Sequence, residues 1–277
     1  MSDKMKNKKI IIGIGVFCFL VFLVFSLYLF PMWHDQECKN RVYSDLQNIA
    51  EEAKKSIIGI IPLKDDHGNV MHNGLASGVI FDKKDHTYYA LTAAHVLEEN
   101  VVSYRVFTSL TSFSGQTVQA DDEVTFIIPD ASYYDSLLES KIEYVSDEAD
   151  LVILSFVSQD ELPVLEFEPK ELSIGDRIVA IGHPEGNRYK STYGNVLSDI
   201  KEVTLVTNST GKSNTDKVVE HDVYLKYGNS GGVAISENGK IIGINIGGEF
   251  TRLGFYSKGY MIPYSVIEYN LKKWRDS

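Results

Sequence analysis

The stretch Lys226-Tyr227-Gly228-Asn229-Ser230-Gly231-Gly232 decides how this chain is read. A serine among glycines can be a β-turn, a phosphate cradle or a nucleophile. A phosphate-binding loop needs a lysine and a Ser/Thr after its glycines, and Val233-Ala234-Ile235 supplies neither. Gly228-x-Ser230-x-Gly232 also fits a nucleophile elbow, but that turn joins a strand to a helix, and strand-like runs flank it here. On these seven residues alone, a glycine-rich turn and a nucleophile both stay open.

The surroundings are β in texture. Ser56–Leu63, Ala76–Phe81, Tyr88–Val96, Glu123–Pro129, Asp150–Phe156, Asp176–Gly182, Asp222–Leu225, Gly232–Ser236 and Lys240–Gly248 are short apolar runs between turn residues, and each predicts a strand. Many strands with hardly a helix between them imply an antiparallel barrel or sandwich. Ser158–Leu172, interrupted by Pro163 and Pro169, predicts a linker between two β halves. Val266, Tyr269, Leu271 and Trp274 predict a closing amphipathic helix at about 264–275.

The chain begins differently. Lys4, Lys6, Lys8 and Lys9 precede Ile10–Phe30, 21 residues without a charge. As a helix at ~1.5 Å per residue, that run crosses the ~30 Å hydrocarbon core of a bilayer. It is longer than a signal-peptide core and no small-residue cleavage pattern follows, so an uncleaved anchor is expected. The lysines place residues 1–9 in the cytoplasm and everything after Pro31 outside. Residues 31–55 follow as a stalk, where Val42, Leu46, Ile49 and Ala53 recur at helical spacing and offer a surface for self-association. Residues 56–277 form the outer domain.

Charge and cysteine content narrow the partners. With the head at +3, a whole-chain charge of −11 leaves −14 for the rest, which argues against nucleic acid and anionic lipid surfaces. Cys18 lies in the apolar run and Cys38 just after it, so the outer domain holds no internal disulfide and reads as bacterial. Cys38 is read as a free stalk thiol, and the sequon Asn208-Ser209-Thr210 then carries no meaning.

Chemistry enters with two further segments. His95 ends the apolar run Tyr88–Val96, among alanines and leucine, where an imidazole needs a partner. Most of the other histidines (His34, His67, His72, His86, His183 and His221) stand in polar, loop-like settings that predict solvated rings. His67 and His72 span a turn and lack a third ligand, so neither a metal nor any other cofactor is implied. Asp150 abuts the buried-strand run Leu151–Leu154 and needs hydrogen bonds or a cation there. A hydroxyl nucleophile needs a base, and the base needs a carboxylate to fix its tautomer. The order His95, Asp150, Ser230 meets that requirement.

In that order and in the segments around it, the chain resembles the chymotrypsin-fold serine proteases, most closely the HtrA (high-temperature-requirement) branch. The similarity runs from about Ala50 to Trp274. It implies two antiparallel six-stranded β-barrels, at about 57–157 and 165–262, with the site between them and the helix behind. It also implies a serine endopeptidase acting on polypeptides, with His95, Asp150 and Ser230 catalytic. The Gly228 and Ser230 N–H groups become the oxyanion hole. Tyr224, Leu225, Lys226 and Tyr227 line the specificity pocket, and Ile246, Gly247 and Gly248 pair with substrate backbone. Tyr227 and Val233 stand where the family usually has proline, and no PDZ domain is expected after Ser277.

Tyr224 on the pocket floor predicts small or medium apolar residues before the scissile bond. Lys226 or His221 pointing inward would instead select acidic ones. The expected role is protein quality control or processing in the cell envelope; the rival is a catalytically silent binding or adhesion module on the same fold.

Overall fold

The computed structural model describes residues 43–277 apart from 67–68, 73, 99, 113–114, 121–123, 130, 171 and 207–212. The apolar run Ile10–Phe30, both cysteines, residues 31–42 of the stalk and the sequon Asn208-Ser209-Thr210 lie outside the described residues. No helix among those described is long and apolar enough to cross a membrane. The chain divides into two units, Met1–Gln47 and Asn48–Ser277. A helix runs over Leu46–Ala53, and a 3-10 turn at Lys54–Ser56 delivers the chain to the first strand.

Nine strands precede residue 158: β1 (Ile57–Asp66), β2 (Asn69–His72), β3 (Ala76–Lys84), β4 (Thr87–Ala93), β5 (Val101–Phe107), β6 (Gly115–Ala120), β7 (Val124–Pro129), β8 (Leu138–Ser146) and β9 (Leu151–Val157). Six of them, in the order β1-β3-β4-β9-β8-β5, close on themselves because β5 pairs back onto β1 over Gly59–Lys64. The result is a closed barrel, extended by β2 at the end of β1, while β6 and β7 form a separate hairpin. Ile58, Ile60, Ile80, Tyr88, Val106, Leu154 and Phe156 fill it. Each fully buried side chain of this size contributes ~1.5–3 kcal/mol, which is why the apolar runs of β3, β4 and β9 pair here.

Seven strands follow: β10 (Arg177–Gly182), β11 (Lys190–Asn195), β12 (Lys201–Val206), β13 (Ser213–His221), β14 (Val233–Ile235), β15 (Ile241–Phe250) and β16 (Tyr256–Pro263). Here the expectation of a second closed six-stranded barrel needs correction. The strands form an open sheet, β11-β10-β14-β15-β16-β13-β12. β12 turns back and occupies the edge of β13 up to Val218. Only a single bridge, Val196 to His221, then spans the gap toward β11. Asp222–Leu225 is no strand either. Past His221 the chain leaves the ladder, with the Asp222 N–H donating to the Asn195 carbonyl.

The closing helix spans Tyr264–Arg275. It follows β16 directly, yet it packs on the barrel. Trp274 lies 5.2 Å from the Tyr89 ring and 6.1 Å from Phe81, and Tyr144 donates to Asn270 Oδ1 at 3.0 Å. One helix thus staples the open sheet to the barrel.

Candidate active site

β4 ends at Ala93, and a 3-10 turn, Ala94–Val96, presents His95. Asp150 sits one residue ahead of β9, which pairs with β4 along its whole length, so register alone brings the two together. The backbone N–H of Ala94 donates to the Asp150 carbonyl at 2.9 Å. The backbone N–H of His95 donates to Asp150 Oδ1 at 2.7 Å, and His95 Nδ1 lies 2.6 Å from Oδ2. A carboxylate only accepts, so Nδ1 carries a proton, and in the neutral ring the lone pair is then on Nε2. Asp150 is buried and adopts a left-handed conformation, φ 49°. Asp tolerates that geometry better than most residues, and here it aims the carboxylate at the imidazole.

Ser230 stands in a turn that both β layers hold. Its carbonyl accepts the Ser77 N–H at 2.9 Å from β3, while the Gly231 N–H donates to Asn245 O on β15 at 2.8 Å. Gly231, at φ 77°, packs against Thr92 and Ser77 so closely that a Cβ would collide with both. The turn is thereby pressed against β4 just ahead of His95. No hydrogen bond joins the Ser230 hydroxyl to His95.

The Asn229 N–H is engaged by Lys226 O at 3.0 Å, whereas those of Gly228 and Ser230 donate to no acceptor among the described residues. Two pins set this geometry. The Glu185 N–H donates to Tyr227 O at 2.7 Å, and the Ser77 hydroxyl donates to Gly228 O at 2.6 Å. In a trans peptide, fixing the Tyr227 carbonyl on one side sends the Gly228 N–H to the other. Gly228 has φ 95°, and a Cβ there would strike the His183 carbonyl.

Sequence reading missed the residue that organises this turn. Ser77 is fully buried, and its hydroxyl accepts the His183 N–H at 2.9 Å and lies 3.1 Å from His183 Nδ1. Its one proton goes to Gly228 O, so Nδ1 of His183 is protonated and donates. His183 and His221, expected to be solvated, are fully buried. Rings of Phe107 and Tyr189 enclose His183 at 4.9 and 4.8 Å. Burial pushes its pKa down to about 3, and the Arg188 charge adds to the shift. Burial likewise lowers His221 to about 4, partly opposed by Asn245 and the Val223 backbone. Among the described residues no cluster of three His, Cys, Asp or Glu side chains gathers as a metal site. His72 is in β2 and His67 lies outside the described residues.

Residues 76–244, more than half the chain, match the family model of the trypsin-like peptidase domain. The chain belongs to that family. Among curated proteins this trypsin-like domain is 24% identical to "Serine protease Do-like HtrB" of Bacillus subtilis over 237 residues, 81% of this chain and 46% of the relative. It is 34% identical over 131 residues to the "Probable periplasmic serine endoprotease DegP-like" of Hahella chejuensis, 47% of this chain and 26% of the relative. It therefore spans less than half the length of these relatives. The structure of the Rv3671c protease from M. tuberculosis in its active form superposes with a TM-score of 0.61 at 16% identity, covering 83% of this chain and 86% of that one. At that identity the likeness establishes the fold.

The trypsin-like domain also offers an unpaired strand edge. β14 is three residues long and its last pair with β15 is Val233 with Ile244. Beyond it, Gly247 and Gly248 pair with β16 and with no other strand among the described residues, while Ile246 is the extra residue of a bulge between Asn245 and Gly247. The residues entering the nucleophile turn divide. Leu225 packs in the core of the sheet. Tyr227 is exposed and Tyr224 partly so. Lys226 bonds Glu185 at 2.7 Å on the surface.

Proposed function

We propose that this trypsin-like domain is a serine endopeptidase using His95, Asp150 and Ser230. One observation carries the reading: the Gly228 and Ser230 N–H groups are unspent beside a serine, while a carboxylate holds the imidazole of His95. Ser230 Oγ attacks a peptide carbonyl carbon and its proton passes to His95 Nε2. The carbonyl oxygen becomes an oxyanion between the two N–H groups, which stabilise it without reorganising. The C–N bond then breaks, and the leaving amine takes the proton from His95. Water, deprotonated by the same nitrogen, attacks the acyl-enzyme, and Ser230 leaves with its proton restored. Asp150 keeps Nδ1 protonated and stabilises the imidazolium. An extended substrate adds as a strand along Ile246–Gly248.

The lysine-flanked run Ile10–Phe30 supports anchoring in the cell membrane with the domain outside, and residues 31–55 a helical stalk for self-association. HtrA- and DegP-type relatives support a role in quality control or processing of exported proteins. The test is Ser230→Ala in the full chain, with an active-site phosphonate as probe. Phosphonate labelling and peptide cleavage should both be present in the native protein and absent in the variant. A native protein that neither labels nor cleaves is a binding module instead.

A further inference from the structure

Gly248 and Gly259 lie directly opposite each other on β15 and β16, so the space over their shared face is one compartment. A Cβ on Gly248 would stand 2.7 Å from Cε2 and 3.2 Å from the hydroxyl of Tyr256. One on Gly259 would stand 2.8 Å from that same hydroxyl and 2.8 Å from His221 Nδ1. The Tyr256 hydroxyl also donates to Val223 O at 2.6 Å, and its ring meets Tyr224 edge-on with centroids 4.7 Å apart. Val223 and Tyr224 belong to the segment entering the Ser230 turn. A single phenol therefore bridges the β15–β16 wall and that segment.

The substrate path proposed above gives this compartment a purpose. A peptide paired along Ile246–Gly248, with its scissile carbonyl at Ser230 and the oxygen between the Gly228 and Ser230 N–H groups, lies between these two walls. The side chain of the residue whose carbonyl is attacked then drops between them.

We propose that Tyr256 sets substrate choice by filling this pocket, so that only Ala, Ser or Gly precedes the scissile bond. The inference rests on the proteolytic reading. Without Cβ atoms, Gly248 and Gly259 make room for the ring rather than for the substrate. Burial raises the phenol pKa, which keeps the hydroxyl a neutral donor to Val223 O. His221 lies fully buried in the same compartment beside that hydroxyl, and Lys226 is engaged by Glu185, so neither side chain is free to bind an acidic residue.

A peptide library and matched fluorogenic peptides with Ala, Leu or Phe before the cleaved bond test this in the full chain. The native protein should cut after Ala, Ser and Gly. Tyr256→Ala should raise kcat/KM for Leu and Phe peptides relative to Ala by ~10–200-fold, the scale at which one pocket group discriminates, mostly through KM. Tyr256→Phe keeps the ring and should keep the native profile. An alanyl phosphonate labelling Ser230 in each variant reports an intact site. Native cleavage chiefly after Leu, Phe, Glu or Asp overturns the inference. So does an unchanged profile in a Tyr256→Ala protein that still labels. Absent labelling of the native protein overturns the proteolytic reading first and this one with it.

Discussion

Lowering the pH from 7 to 5 in a urea-unfolding series addresses the two histidines that the fold buries. His183 and His221 are held neutral, with pKa values of about 3 and about 4 in the folded chain. In the unfolded chain an imidazole titrates near ~6.5. Between these values the unfolded state binds more protons than the folded one. Stability therefore rises with pH across the window and is lost as pH falls through it. The slope is about 1.4 kcal/mol per pH unit for each ring once the unfolded imidazole is protonated. From pH 7 to pH 5 that amounts to about 2 kcal/mol per ring, or about 4 kcal/mol for the pair. A domain of ordinary stability has only ~5–15 kcal/mol to lose. Unperturbed carboxylates, near ~4, stay ionised in both states over most of this range, which leaves the window largely to the histidines.

Trp274, packed on Phe81 and Tyr89, gives a fluorescence signal for unfolding. The expected result is a stability about 4 kcal/mol lower at pH 5 than at pH 7. His183→Asn separates the two rings. Its amide can donate to Ser77 Oγ where Nδ1 does and does not titrate, so the loss should halve to about 2 kcal/mol. A native protein whose stability changes by less than about 1 kcal/mol between these pH values refutes the reasoning, because two buried neutral imidazoles cannot avoid the linkage. A His183→Asn variant with the full native loss would show that His183 carries none of it.

Two further predictions bear on the site. Asp150→Asn keeps the shape but allows the wrong imidazole tautomer, and should lower kcat by ~10⁴ with little change in KM; a loss under tenfold on peptide substrates contradicts the pairing. Ser77→Ala frees the Gly228 carbonyl and should reduce kcat by ~10²–10³, the cost of losing one oxyanion donor, while KM moves little. Turnover within threefold of native would show that the Glu185 N–H pin is enough.

What the sequence disclosed follows from where each constraint is written. β4 and β9 were legible because almost every residue is buried, leaving continuous apolar runs. β8, β11, β12, β13 and β16 were not. β8 reads Leu-Glu-Ser-Lys-Ile-Glu-Tyr-Val-Ser and remains half exposed along its length, so charges mask its alternation. β13 begins with Ser213-Asn214-Thr215-Asp216, a run that resembles a loop until β12 pairs with it. His183 looked solvated because Gly182, Pro184, Glu185 and Gly186 around it are turn formers. Its burial comes from Phe107 and Tyr189, and its partner Ser77 lies 106 residues away. Composition near a residue cannot report neighbours that only tertiary structure supplies.

The glycines mark that boundary most clearly. Gly228 and Gly231 sit at φ 95° and 77°, a backbone need expressed within the turn itself, and the serine between them becomes legible as a nucleophile once His95 and Asp150 are read beside those seven letters. Gly248 and Gly259 answer a different need. Each lacks a Cβ because Tyr256 and His221 occupy the space it would take. In sequence Gly248 looks like an open strand edge awaiting a peptide, and the ring that limits what the peptide can carry stands eight residues further on, beyond the hairpin. A pocket read from its walls alone looks deeper than one into which the ring of Tyr256, packed against Gly248 and edge-on to Tyr224, also enters.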